Sequence, residues 1–293
     1  MDLALLEAEL SARGEPAFRA RQVWSWVARG AKGYEQMTDV PAGLRDELAS
    51  SVPLSTLTVV RQDEARDRTV KTLFHTYDGH PVEAVLMRYR DGRRSICVSS
   101  QSGCPLTCTF CATGAMQFRR NLTAWEILDQ ALHFRRFETV DHCVFMGMGE
   151  PMLNLDNVLD AARRLPDLGI THRRTTISTI GWLPGLQRFV DEVEEPIRLA
   201  LSLHAADPGL RARIMPVEEK FPLEDVLAEC RRYHELRRRK VFVEYVMLGG
   251  VNDSAQHARE LVAVLDNARL PATVRLTRGR DIAAACGQLA ATR

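Results

Sequence analysis

The sequence has no long apolar run. Nothing in its 293 residues approaches the ~20 consecutive apolar residues that cross a bilayer as a helix. The opening text MDLALLEAEL is acidic and amphipathic, unlike the basic and then apolar start of a secretory signal. The chain therefore reads as a soluble, cytoplasmic protein with no membrane association. It also lacks a net charge of either sign. The 39 Lys and Arg nearly cancel the 38 Asp and Glu, leaving +1, so total charge announces no nucleic-acid partner. Its arginines do cluster, at 88–94, 119–120, 173–174, 231–239 and 275–280. Such clusters suit phosphates, but equally suit a solvated surface. Seven cysteines, an odd number in a long chain without a signal-like start, exclude a disulfide scaffold. No second CxxC and no HxxxH pair accompanies the cysteines, so the four-ligand pattern of a structural zinc site is missing.

What is present is ordered along the chain. Residues 1–54 read as helical, with Leu3, Leu5, Leu6 and Leu10 on one helix and Phe18, Val23, Trp24 and Val27 on the next; Val40-Pro41 with Leu44 and Leu48 suggests a third. Residues 55–89 form a β-rich connecting segment, in which TLTVVRQ, RTVKTLFHTY and PVEAVLMRYR are separated by turn signals such as Asp78-Gly79. Asp91-Gly92 separates the last of these from RSICVSS. Residues 90–293 form the core. There CVFMGM (143–148), TTIST (175–179), IRLALSLH (197–204) and KVFVEYVML (240–248) each precede a helical pattern, near 155–165, 183–192, 207–213 with 223–238, and 254–266. Alternating strands and helices predict a parallel α/β sheet, open or closed into a barrel, with ligands at the C-terminal strand ends.

Three cysteines crowd one loop: Cys104, Cys108 and Cys111, spaced C-x3-C-x2-C between Gly103 and Gly114. Three thiolates suit three irons of a [4Fe–4S] cube and leave the fourth iron open for a small molecule. A zinc-stabilised RNA module and three buried thiols are the competing readings.

The spacing, with an aromatic residue before the last cysteine, is the radical S-adenosylmethionine (SAM) signature. The wider text CVSSQSGCPLTCTFCATG resembles the RlmN/Cfr family of RNA adenosine methyltransferases, closer to the RlmN branch. The likeness continues through PAFRARQVWSWV, FRRNLTAWEI, VFMGMGEPMLN, TISTIG, LALSLHA, VEYVMLGGVND and TRGRDIAAACGQLA. It implies a partial (βα)6 radical SAM barrel behind an N-terminal helical accessory domain, with a [4Fe–4S] cluster and SAM as cofactors. By position, Gly149 and Glu150 of the GEP text, Ser178 of STIG, and Ser202, Leu203 and His204 of SLHA fall on the family's SAM-binding residues. Taken alone, His204 reads more readily as a structural histidine.

The resemblance also supplies a reaction. Adenine carbon 2 is electron-poor, so a methyl cation equivalent does not add to it, and the related enzymes use a radical. Cys286 (AACGQL) matches the cysteine that first takes a methyl from one SAM. A second SAM yields the deoxyadenosyl radical that removes a hydrogen from that methyl, and the carbon radical adds to adenine. Cys97 (ICVSSQ) matches the thiol that resolves the protein–RNA bond as a transient disulfide, and Glu83 the general base. Without the resemblance Cys97 reads as a buried strand cysteine, Cys286 as a small apolar residue and Glu83 as an exposed strand glutamate. Cys143 and Cys230 match no motif and read as packing residues. The implied partners are 23S rRNA in the peptidyl-transferase region, the tRNA anticodon loop, and an electron donor such as flavodoxin or ferredoxin, for a monomeric enzyme. Arg19, Arg21, Lys32 and the 88–94 run form the expected RNA surface. Alternatives are C8 methylation, as in the Cfr branch, and a non-catalytic RNA-binding relative.

One departure stands out. The family carries a further βα unit, with a SAM-contacting asparagine in an Ile-Pro-x-Asn-Pro text, between ARELVAVLDNARL and PATVRLTRG. That text is absent here, so a barrel shortened by one βα unit is expected.

Overall fold

The computed structural model describes residues 1–268 and Gln288. The expected last strand PATVRL, and Cys286 with most of its surrounding motif, lie outside the described residues.

The chain opens with three helices, α1 (Leu3–Ala12), α2 (Phe18–Ala28) and α3 (Ala42–Ser51). Asp2 caps α1 by accepting from the Ala4 and Leu5 amides. Four strands follow: β1 (Leu57–Glu64), β2 (Val70–Thr76), β3 (Pro81–Arg88) and β4 (Arg94–Val98). After the short pair β5 (Gln101–Ser102) and β6 (Arg120–Asn121) comes α4 (Ala124–Arg135). The alternation then runs β7 (His142–Phe145), α5 (Leu155–Arg164), β8 (Thr175–Thr179), α6 (Leu183–Glu192), β9 (Arg198–Ser202), α7 (Pro208–Ile214), α8 (Leu223–Arg237), β10 (Phe242–Glu244) and α9 (Ala255–Asn267). The strand–helix order is the expected one, and the fold is α/β with N-terminal helices.

The main sheet is ordered β1-β2-β3-β4-β7-β8-β9-β10. β1 to β4 pair antiparallel, and β4, β7, β8, β9 and β10 pair parallel. The strands of the β-rich segment thus extend the same sheet rather than standing apart from it. One sheet face carries Val82, Ala84, Leu86, Ile96, Val98, Phe145, Ile177 and Leu199 into the main hydrophobic core. Removing that much apolar surface from water, at roughly 25 cal/mol per Å2, is what holds the helices against the sheet. Cys143 and Cys230 are buried in the same core, as expected of packing residues.

Sequence periodicity did not single out α4, although its start is written in the chain. Thr123 and Glu126 form a reciprocal capping box. The N-terminal helices dock on this element and on the turn after α5: the Trp24 and Trp125 rings meet edge to face at 6.5 Å, and Trp24 Nε1 donates to Asp167 of that turn at 2.8 Å. Beyond β7 and β10, both shorter than expected, side chains take over backbone donors. Beyond β7, the Met148 amide donates to Ser99 Oγ at 2.8 Å. Beyond β10, the Val246 amide donates to His204 Nδ1 at 3.1 Å and the Leu248 amide to the Asn252 side chain at 2.6 Å.

On α4, His133 is ringed by Phe74, Phe134 and Phe137 at 5.0–5.2 Å, and burial holds its pKa down to about 4. The folded protein therefore keeps it neutral while the unfolded chain protonates near 6.5. Its stability contribution is whole above pH 6.5 and is lost as pH falls toward 4, by at most about 3 kcal/mol. Urea titrations across that window should show the decline, and His133→Phe should make it shallower. An unchanged slope in the variant would contradict the assignment.

Candidate active site

Strand register decides which side chains meet. Lys71 of β2 faces Val85 of β3, Val85 faces Cys97 of β4, Cys97 faces Val144 of β7, and Val144 faces Thr176 of β8. Ser178 pairs with Ala200 of β9. Side chains alternate with period two, so Glu83, Cys97, Ser178 and Ser202 all project from the one sheet face opposite the main core. Ser178 Oγ and Ser202 Oγ lie 3.3 Å apart. Cys97 packs with Val85 and Met148, against Met87, Met116 and Met146, in a small sulfur-rich cluster. Glu83 is buried and its backbone is gripped from both sides. Its carbonyl accepts from Ser99 Oγ at 2.6 Å, and its amide donates to Met148 Sδ at 3.3 Å.

The three cysteines occupy the loop between β5 and β6, at the C-terminal end of β4. Gly103, at φ +73°, turns the chain into this loop; a Cβ there would stand 2.3 Å from the Gln117 carbonyl oxygen. The loop rests on α7, where the Thr109 amide donates to the Ile214 carbonyl at 3.0 Å and Cys108 packs with Leu210, Ile214 and Met215. Burial pushes the thiols of Cys104 and Cys108 up to about 12, and Cys111 and the Glu150 carboxylate act in the same direction. Cys108 is buried and Cys104 and Cys111 are half-buried, and a bound cationic iron centre would deprotonate such ligands. Among the described residues no three His, Cys, Asp or Glu side chains are close enough to hold one metal ion. A cube makes no such demand, because each thiolate caps a different iron.

Glu150 lies at the end of β7. Gly149, at φ +94°, turns the backbone so tightly that a Cβ would sit 2.5 Å from Gln101 Cβ. The Glu150 carboxylate accepts from the Met152 and Ile180 amides at 3.1 and 3.0 Å. Burial nevertheless raises its pKa to about 7, leaving a carboxylate that gains from an incoming cation.

His204 lies at the end of β9 with φ +56°, a left-handed conformation unusual for a non-glycine residue. Its Nδ1 accepts from the Val246 amide, so the neutral ring carries its proton on Nε2. Burial pushes its pKa down to about 3, keeping it neutral. The Phe110 ring of the cysteine loop meets it edge to face at 4.9 Å, tying the loop to the strand end.

Two residues that the motifs did not single out hold this junction. Arg211 of α7 is wholly buried. It donates to the Leu203 carbonyl at 3.2 Å, to the Ile180 carbonyl at 2.7 Å, and to Glu218. Asn252, also buried, donates to the His204 and Val246 carbonyls at 2.7 and 2.8 Å. An arginine between apolar helix positions and an asparagine in a glycine-rich turn are ordinary text, so only the fold reveals what they bind.

On the expected RNA surface, Arg21 is exposed, Arg19 is held by Glu15 at 3.1 Å, and Lys32 lies 5.5 Å from the Phe137 ring centre. In the 88–94 run, Arg88 and Arg94 both pair with Glu138, at 2.6 and 2.7 Å, and the exposed Arg93 pairs with Asp91 at 2.7 Å; Arg90 is also exposed.

Residues 98–262 match the Radical SAM superfamily, and residues 1–53 match the ribosomal RNA large subunit methyltransferase N-terminal domain. A probable dual-specificity RNA methyltransferase RlmN of Heliobacterium modesticaldum is 42% identical, covering 97% of this chain and 86% of that protein. The dual-specificity RNA methyltransferase RlmN of Syntrophobacter fumaroxidans is 39% identical, with 98% and 95% covered. The crystal structure of a radical SAM methyltransferase from Sphaerobacter thermophilus superposes with a TM-score of 0.89 at 38% identity, covering 100% of this chain and 98% of that one. The first two pairings run over 334 and 329 positions, more than the 293 residues available here, so those relatives carry residues without a counterpart in this chain.

Removing the Arg211 charge strands Glu218 and two strand-end carbonyls in a dry site. Arg211→Met should cost about 3–5 kcal/mol, the range for breaking a buried pair by removing one partner. The double variant Arg211→Met/Glu218→Leu should recover part of that loss in urea unfolding. Equal stability of Arg211→Met and the wild type would refute the role given to Arg211.

Proposed function

The chain belongs to the RlmN family of radical SAM RNA methyltransferases, and from that premise we propose that it methylates carbon 2 of adenosine in 23S rRNA and in the tRNA anticodon loop. The observation that carries this reading is the shared sheet face. Glu83, Cys97, Ser178 and Ser202 project from it, and the three-cysteine loop is docked at its end through the Phe110–His204 contact.

In this reading Cys104, Cys108 and Cys111 hold the [4Fe–4S] cluster, and their thiol chemistry fits it. When bound, the cluster and SAM supply the carbon radical that adenine carbon 2 requires. The chain's own residues bind and direct. Glu150, whose pKa burial raises to about 7, receives the SAM ammonium, which favours its ionised form. The Ser178 and Ser202 hydroxyls, the backbone at Leu203 and the Nε2 proton of His204 contact SAM's polar edges. Gly149 lets the backbone approach. Cys286 takes a methyl group on sulfur, the methyl's former bond to SAM breaking with its electron pair on the departing sulfur. Glu83 accepts the proton from carbon 2, and the unpaired electron left on the ring by radical addition returns to the redox partner, so that the adduct is closed-shell before its sulfur bond is cleaved. The Cys97 thiolate then attacks the Cys286 sulfur. The new S–S bond releases the carbon with its electron pair, and that carbon takes a proton to complete the methyl group. A small redox protein such as flavodoxin or ferredoxin supplies the electron, and the enzyme acts as a monomer in the cytoplasm.

A second reading, an RNA-binding relative without turnover, draws support from the positions that relatives have and this chain lacks. We place that difference between α9 and PATVRL, in the βα unit carrying the SAM-contacting asparagine.

Anaerobic reconstitution followed by mass spectrometry of digested 23S rRNA and tRNA separates these readings. 2-Methyladenosine is the expected product. 8-Methyladenosine would transfer the protein to the other branch of the family, and RNA binding without SAM cleavage would favour the non-catalytic relative. Cys97→Ala should accumulate a covalent protein–RNA adduct through Cys286. Cys286→Ala should abolish methylation with the iron content intact, and loss of iron would contradict its assignment.

A further inference from the structure

A buried lysine stands beside the proposed base. Lys71 Nζ of β2 lies 3.1 Å from Glu83 Oε1 of β3, and the two side chains are only 9% and 4% exposed. Lysine is seldom buried, because its ammonium loses hydration that only a close anion replaces. Replacing such an ion pair with apolar residues of similar volume is often neutral or stabilising, so stability alone gives little reason to keep it. Its position is more telling. Lys71, Val85 and Cys97 form one row across three strands, on the face that carries Ser178 and Ser202. Glu83 lies one step along that face, its backbone locked by Ser99 Oγ and Met148 Sδ to the loop that leads into Glu150. The backbone is thus fixed from the β4–β7 side, and Lys71 holds the carboxylate from the β2 side.

We infer that Lys71 is the positioning residue of the base: through its ion pair it holds the Glu83 carboxylate from the β2 side and aims it at the reacting adenine. The inference rests on the assignment of Glu83 made above. The step concerned is a single proton transfer. The hydrogen on carbon 2 leaves as a proton to a lone pair of a Glu83 oxygen, and the C–H electron pair stays with the adenine ring.

The test uses reconstituted full-length protein and RNA bearing protium or deuterium at carbon 2 of the target adenine. Lys71→Met should form methylated Cys286 and keep its iron, yet make methyladenosine at least tenfold more slowly. Its rate should show a deuterium isotope effect clearly larger than the wild type's, because proton removal has become limiting. Lys71→Arg, which keeps the charge, should restore most of the rate and shrink the isotope effect. Lys71→Gln, which keeps a donor without charge, serves where Lys71→Met does not fold and should show the same enlarged effect. Uncharged variants with wild-type rates and isotope effects would overturn the inference. Glu83→Gln separates it from its premise. If that variant methylates normally, the assignment of Glu83 fails. If it is inactive while the uncharged Lys71 variants are normal, Glu83 stands and the role of Lys71 falls.

Discussion

The register between β3, β4, β7, β8 and β9 is the constraint on which the rest of the site depends. A slip of one residue in any pairing would turn that strand's chemistry into the hydrophobic core and its core residues outward. The core fixes the register from behind. Val98, Phe145, Ile177 and Leu199 lie across neighbouring strands on the helix-covered face. The opposite face is then free to carry Glu83, Cys97, Ser178 and Ser202. Packing and function share the same strands and differ only in parity.

Parallel strands bring side chains to a common edge but leave the loops beyond them unspecified. Here buried polar groups do the joining. Arg211 ties the ends of β8 and β9 to α7, and Asn252 ties the turn after β10 to His204. Glu150 reaches from the end of β7 to the Ile180 amide beyond β8. Each bond satisfies a group that would otherwise be buried without a partner, so the junction is held by the cost of breaking it. Burial likewise raises the pKa of the Cys104 and Cys108 thiols to about 12 and that of Glu150 to about 7. The site is electrostatically prepared for positively charged ligands.

Much of this was readable from the chain. The cysteine spacing, the turn signals at Asp78-Gly79 and Asp91-Gly92, and the limits of α6 follow from local chemistry, which a sequence expresses directly. β7 and β10 ran short, and beyond them Ser99, His204 and Asn252, distant in sequence, intercept backbone donors. Arg211 and Lys71 were illegible for the same reason: a buried ion pair is defined by its partner across the fold. The 88–94 arginine run looked uniform, yet Glu138 pairs with two of its members. The Cys286 segment rests on motif alone, since it lies outside the described residues.

The central claim is that Cys104, Cys108 and Cys111 hold a four-iron cube whose open iron takes SAM, in the site framed by Glu150 and His204. Electron paramagnetic resonance of the anaerobically reconstituted, reduced protein tests it most directly. The account predicts a [4Fe–4S]+ signal whose g values shift when SAM is added, with both signal and shift lost when all three cysteines become alanine. A signal indifferent to SAM, or one that survives the triple substitution, would contradict it.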